Sequence, residues 1–327
     1  MPLKLKCLGC MLRAWFNSLD SLVDDEVRGY AIAREMIRLL RTLDWSRISV
    51  YDLWSFVQKF SRKYIGSDFL VKLIDFDGLR ELSRALSIIR DIISKLSGYE
   101  RFKAAVKAAI VSTNFSLQSI YSSSHKHPFS LTVGEVLSEY ANIKIRANVL
   151  RQLYRDIDGA RILYLSGSVL ELMFDRHLVD EISKHCRRLV IVPTLPLTRE
   201  FSKKIMNEVS WIEREVKSMS ERSYMVFNIS DMGMINNMII DSDMIIVKSP
   251  MYYFCTKNYQ AYKVLYLVMK ASCRAIVDEF TLPVIDKYIL LRLGAKRVTR
   301  KESIATEVYT VISHVLPVHR IAQLLES

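Results

Sequence analysis

Apolar residues recur every three or four positions through the first half of the chain. Leu12, Trp15, Phe16, Leu19, Leu22 and Val23 form one stripe, Ala31, Ile32, Met36, Ile37, Leu39 and Leu40 a second, and Leu53, Trp54, Phe56, Val57 and Phe60 a third. A stripe at that spacing is the core-facing side of an amphipathic helix. The same reading predicts helices over 79–97, 101–118 and 132–156, with Asp52 as the cap before the Leu53 helix. A polar loop over 121–130 interrupts them and carries His125-Lys126-His127-Pro128.

Beyond about residue 160 the period shortens. Strands are predicted at 161–166, 189–194, 224–228, 244–248 and 274–278, with helices between them at 170–185, 197–219, 230–240 and 256–271. Strands alternating with helices of ten or more residues build βαβ units and a mostly parallel sheet, which makes the fold class α/β. Residues 281–300 add an edge element, and 302–325 read as a closing amphipathic helix interrupted at Pro317.

Composition bounds this picture. Half of the 327 residues are apolar, enough for one large domain or two, and Gly (10) and Pro (7) are scarce, as in a helix-rich chain with short loops. Five scattered cysteines, Cys7, Cys10, Cys186, Cys255 and Cys273, are an odd count that fits no disulfide framework and points to a reducing, cytoplasmic setting. Cys7 and Cys10 could supply half of a zinc site, but no second pair follows at metal spacing. No apolar run reaches the roughly 18–20 residues of a membrane span, and the apolar stretch near the N-terminus is too short for a signal peptide. Lys and Arg (47) exceed Asp and Glu (35) by 12. Such a charge suits nucleic acid, anionic lipid or a phosphorylated small molecule, and equally a plain solvated surface, since the basic residues are scattered. No nucleic-acid recognition motif accompanies it.

The stretch Ile162-Leu-Tyr-Leu-Ser166-Gly167-Ser168-Val169-Leu170-Glu171 concentrates the candidate chemistry. It reads as a buried strand turning tightly into a helix. Such a turn offers free backbone N–H groups and the positive end of a helix dipole to an anion. Ligands of parallel sheets bind at the carboxyl ends of strands, where this turn, residues 194–197 and residues 248–251 all fall. Lys248 at a strand end could hold phosphate as a point charge. Glu171 lies in a helical first turn, where it also stabilises the dipole, and Asp175 has Arg176 beside it as a partner.

Several landmarks follow one another along the chain: Cys7-Leu-Gly-Cys10-Met, Ala105-Val-Lys107-Ala-Ala-Ile before Ser112-Thr-Asn114, Ile162-Leu-Tyr-Leu before Glu171-Leu-Met-Phe174-Asp175, Asp243-Met-Ile-Ile-Val-Lys248, and Met269-Lys270-Ala-Ser-Cys273. Together, over roughly residues 5–290, they resemble the damage-control phosphatase family, metal-dependent proteins first catalogued as domain of unknown function 89. The resemblance implies a helical N-terminal part, 1–150, packed on a Rossmann-like, mostly parallel three-layer α/β domain, 151–327. It also implies a divalent metal (Mn, Co, Mg or Ni) at the carboxyl edge of the sheet, and hydrolysis of sugar phosphates and related monoesters.

The chain departs from that pattern at its metal ligands. The Asp-Asn pair of the family falls on Gly167 and Ser168, and the helical-part Asn and Asp fall near Thr113 and Ser116, one position from Asn114. The second-strand Asp is replaced near Arg199-Glu200, the glycine after Lys248 is Ser249, and the later Asn and Glu positions read Tyr252 and Phe254. Lys248, Glu171 and Asp175 survive. A hard divalent cation wants several carboxylate oxygens, so a metal here would need replacement ligands from Asn114, Glu171, Glu200, His125 and His127. Two functions follow. One is a non-catalytic member that binds a phosphorylated small molecule through Ser166, Gly167, Ser168 and Lys248. The other is an active phosphatase with a rearranged metal site. A dedicated nucleic-acid binder rests on charge alone. The residues favour the first.

Overall fold

The computed structural model describes residues 5–45, 48, 50–66, 76–115, 131–145, 147–167, 169–193, 223–225, 232–271, 273–282 and 288–294. The predicted helices over 197–219 and 302–325 lie outside them, as does the loop over 121–130. The chain opens with helices α1 (Leu5–Leu22), α2 (Glu26–Leu40), α3 (Val50–Tyr64), α4 (Phe76–Ser94) and α5 (Gly98–Val111), and a 3-10 turn, Ser112–Phe115, ends the last of these. Helices α6 (Val133–Asn142) and α7 (Ala147–Asp156) follow. Local chemistry sets several boundaries. Asp25 caps α2 by accepting from Arg28 N at 3.1 Å, and Thr132 with Glu135 forms a reciprocal capping box on α6. Two helical expectations change. Asp52 sits inside the first turn of α3 rather than capping it, and 132–156 is two helices because Ile143 leaves helical geometry and buries.

The second half alternates as its period implied: β1 (Arg161–Ser166), α8 (Val169–His185), β2 (Arg188–Pro193), β3 (Ser223–Met225), α9 (Met232–Asp241), β4 (Met244–Val247), α10 (Pro250–Thr256), β5 (Val264–Lys270), α11 (Arg274–Glu279) and β6 (Tyr288–Leu293). The sheet order is β3-β2-β1-β4-β5-β6, parallel throughout except for the antiparallel edge strand β6. Side chains alternate between two cores. Ile162, Tyr164, Met244, Ile246, Tyr266 and Val268 join the N-terminal helices, α7 and α8 on one face. Leu163, Leu165, Ile245, Val247, Leu265 and Leu267 join residues of α9, α10 and α11 on the other, which makes three layers.

Two assignments exchange near the end. Residues 256–271, expected helical, contain β5, and 274–278, expected as a strand, lie in α11. Val264-Leu-Tyr-Leu-Val-Met is an unbroken apolar run buried on both faces, which periodicity alone does not separate from a buried helix. In α11 the short apolar run Ala275-Ile276-Val277 is flanked by the i,i+4 pair Arg274–Asp278 at 3.3 Å. The edge element expected within 281–300 is β6. Asp156 at the end of α7 accepts from Tyr266 Oη at 2.8 Å and Arg292 Nε at 3.0 Å, tying the helical part to β5 and β6. Among the described residues no helix is long and apolar enough to cross a membrane.

Candidate functional site

The carboxyl ends of β1 and β4 meet the first turns of α8 and the end of α5. Ser166 and Gly167 are buried there, and Ser168 lies outside the described residues. Lys248 closes the ladder between β4 and β1: its backbone N–H donates to Leu165 O at 2.9 Å. That rung fixes its Cα, and the side chain runs into the core, where only 1% of the residue is exposed.

What the ammonium meets is a closed set. Nζ of Lys248 pairs with Asp175 Oδ1, donates to Ser112 Oγ, and lies 3.2 Å from Glu171 Oε2. Ser112 Oγ donates in turn to Asp175 Oδ1 at 3.0 Å. Both carboxylates belong to α8, four residues apart, so one helical turn stacks them on the same face. Ser112 arrives from the 3-10 turn, whose Thr113 hydroxyl accepts the Lys270 N–H at 2.9 Å and so pins the turn to the end of β5. Tyr164 of β1 faces the same cluster and is fully buried. Asp175 therefore pairs across the fold with Lys248, not with its neighbour Arg176.

Electrostatics follow from that closure. Two carboxyl groups face one ammonium in a site without solvent, where a surplus charge is costly. Burial pushes the Glu171 carboxyl up to about 8, with the Asp175 charge adding to it and Lys248 opposing. Burial also raises Asp175, again against the pull of Lys248, and raises the Tyr164 phenol well above its ordinary range. The cluster is electrically balanced when Glu171 keeps its proton.

The Ser166–Gly167 turn is filled by a carboxyl group of the chain's own. Gly167 lies against the Glu171 carboxyl, whose oxygen occupies the space a β-carbon at Gly167 would take.

Asn114 belongs to a second cluster. Its Nδ2 donates to Glu139 Oε2, its Oδ1 accepts from Lys270 Nζ at 2.7 Å, and Tyr288 Oη donates to Glu139 at 2.5 Å. These contacts join the 3-10 turn, α6, β5 and β6. Tyr252 and Phe254, which stand at later ligand positions of the family pattern, pack in the apolar core around α10. Glu200, His125 and His127 lie outside the described residues. Sequence reasoning did not find Ser112, Tyr164 or the Glu139–Lys270–Tyr288 cluster. A tyrosine in the middle of an all-buried strand was the available signal, because its hydroxyl needs a partner.

The resemblance implies a divalent cation at this edge. Among the described residues no three His, Cys, Asp or Glu side chains form a group that could hold one. The two surviving carboxylates are turned to Lys248, so the described donors do not fit a hard cation. At the opposite, amino edge a cavity of about 360 Å³ lies between α9 and the starts of β1 and β2. Its charged rim is already paired, Arg161 with Asp241 and Asp243 and Arg188 with Asp241.

No sequence profile of a known family matches the chain. An uncharacterized protein of Methanocaldococcus jannaschii is 19% identical over 306 residues, which cover 89% of this chain and 96% of that protein. The chain shares its fold with a DUF89 family protein of Pyrococcus horikoshii, whose crystal structure matches with a TM-score of 0.63 and 18% identity over 90% of this chain and 100% of the other.

Proposed function

We propose that this chain is a divergent, non-hydrolytic counterpart of the damage-control phosphatases, keeping their fold and taking a phosphorylated small molecule at the carboxyl edge of its sheet. The premise is the fold shared with the DUF89 family protein. The observation that carries the reading is the closure of Lys248 on Glu171 and Asp175. A metal phosphatase needs carboxylates turned outward to a cation that polarises phosphate and activates water. The two that remain here turn inward to an ammonium. The ligand class follows from the turn. A carboxyl oxygen already lies against Gly167, so a phosphate oxygen displacing Glu171 would take that place at the helix start, with Lys248 beside it.

The test offers purified protein Mn²⁺, Co²⁺, Mg²⁺ or Ni²⁺ with a panel of sugar phosphates and a chromogenic monoester. The expected result is no turnover and no stoichiometric metal, with a raised melting temperature in the presence of at least one phosphorylated compound. Stoichiometric metal with turnover would establish the active-phosphatase reading instead. Stabilisation by RNA and by none of the small phosphates would sink the proposed ligand class.

A further inference from the structure

Helix α2 buries one side and leaves an apolar stripe on the other. Ile32, Met36 and Leu40 are in the core, whereas Val27 is 78% exposed, Tyr30 70% and Ile37 52%. At 100° per residue, Val27, Tyr30, Arg34, Ile37 and Arg41 fall within an arc of about 80°. Scattered exposed apolar residues need no explanation, but a continuous helical stripe marks a contact surface.

The charges along α2 identify the partner. Asp24, Asp25 and Glu26 cluster at its N-terminal end, and Arg34, Arg38 and Arg41 toward its C-terminal end. Arg38 is shared with Glu35 at 2.7 Å, and Asp25 serves as the cap, while Glu26, Arg34 and Arg41 are exposed. Such a helix complements itself when reversed. Val27 and Ile37 lie five residues either side of Ile32, and Tyr30 and Arg34 lie two either side. With a two-fold axis at the level of Ile32, Val27 of one copy meets Ile37 of the second, and Tyr30 meets Arg34. The acidic end of each helix then lies along the basic end of the other, and the helix dipoles oppose. A parallel arrangement would instead set like charges side by side.

We propose that α2 is a homodimer interface in which two copies of the chain pair antiparallel through Val27, Tyr30, Arg34 and Ile37. The apolar pair gives burial, Tyr30 and Arg34 stack as ring and guanidinium, and the charged ends fix direction. One helix pair is a small interface, so the expected dissociation constant is on the order of 10 μM.

Sedimentation equilibrium on the full chain tests it. The expected result is a monomer–dimer equilibrium in that range, weakened about tenfold or more by Tyr30→Glu, with no change in melting temperature at ~1 μM, where the parent is monomeric and the side chain is exposed. Register is read by cross-linking. Two copies of residue 27 would stand ~15 Å apart along the helix, beyond disulfide reach, whereas 27 and 37 share a level. A Val27→Cys chain mixed with an Ile37→Cys chain should therefore cross-link above the background of the native cysteines, and neither should do so alone. A chain that stays monomeric at ~200 μM overturns the proposal. So does a dimer indifferent to Tyr30→Glu, or cross-linking by Val27→Cys alone.

Discussion

A β-carbon on Gly167 would lie 2.0 Å from Glu171 Oε1 and 2.8 Å from its carboxyl carbon. The glycine is required by space rather than by backbone handedness, since Gly167 is not among the glycines with positive φ. Gly167→Ala must push the carboxyl off the turn and away from Lys248, giving up the buried contact at 3.2 Å. The expected cost is about 1–3 kcal/mol. In a Glu171→Ala background the obstacle is gone, and the same change should cost much less. A double-mutant cycle by denaturant unfolding measures this coupling, and additive costs would refute the steric account.

The proton on Glu171 gives stability a direction with pH. Its carboxyl is raised from 4.5 to about 8, by burial first and by Asp175 next. Between those values the folded chain holds a proton that the unfolded chain has lost. Stability from this group is therefore greatest below pH 4.5, falls as pH rises toward 8, and levels off above. Glu171→Gln keeps the shape and removes the titration. Its melting temperature should exceed that of the parent near pH 8–9, with the gap narrowing toward pH 5. Parallel profiles for the two proteins would show that Glu171 ionises freely.

Removing the ammonium should be worse than removing either carboxyl. Lys248→Met leaves Glu171 and Asp175 facing each other in the core, a loss of about 3–5 kcal/mol for a broken buried pair. Protonation relieves that repulsion, so the deficit should shrink as pH falls from 8 to 5. Adding Asp175→Asn should recover part of it. A variant as stable as the parent at pH 8 would contradict the ion cluster.

The sequence made the layers legible because strands and helices with two-sided or one-sided burial leave distinct periods. β1 coincides with its predicted span. The exchange of strand and helix around β5 and α11 was not legible, since a run buried on both faces carries no period. The strand-end turn was visible as a possible anion site, but its present occupant was not. Glu171 is four residues beyond Gly167, which is local, whereas Lys248 is 73 residues from Asp175 and Ser112 lies 63 residues before it. Only the folded ladder between β1 and β4 brings those groups together. The departures from the phosphatase pattern were legible residue by residue. That the surviving Lys, Glu and Asp close on one another required the fold.

His177 on α8 supplies the opposing slope. It is 8% exposed, and its Nδ1 is buried without a hydrogen-bond partner among the described residues. Burial lowers its pKa from 6.5 to about 4, helped by Arg90, Arg176 and Arg101, with Glu181 pulling the other way. Here the unfolded chain takes the proton first. Stability from this group is intact above pH 6.5 and is lost as pH falls toward 4. Glu171 and His177 each exchange one proton, and their windows overlap between about pH 4.5 and 6.5 with opposite signs. Asp175 and Asp180, both raised by burial, share the sign of Glu171, so His177 offsets part of the gain on the acid side rather than all of it. His177→Gln leaves the Glu171 slope unopposed. Relative to the parent, its melting temperature should rise as pH is lowered from 6.5 to 4.5. A histidine in free exchange with water would titrate near 6.5 by NMR, and His177→Gln would then leave the acid limb of the parent unchanged.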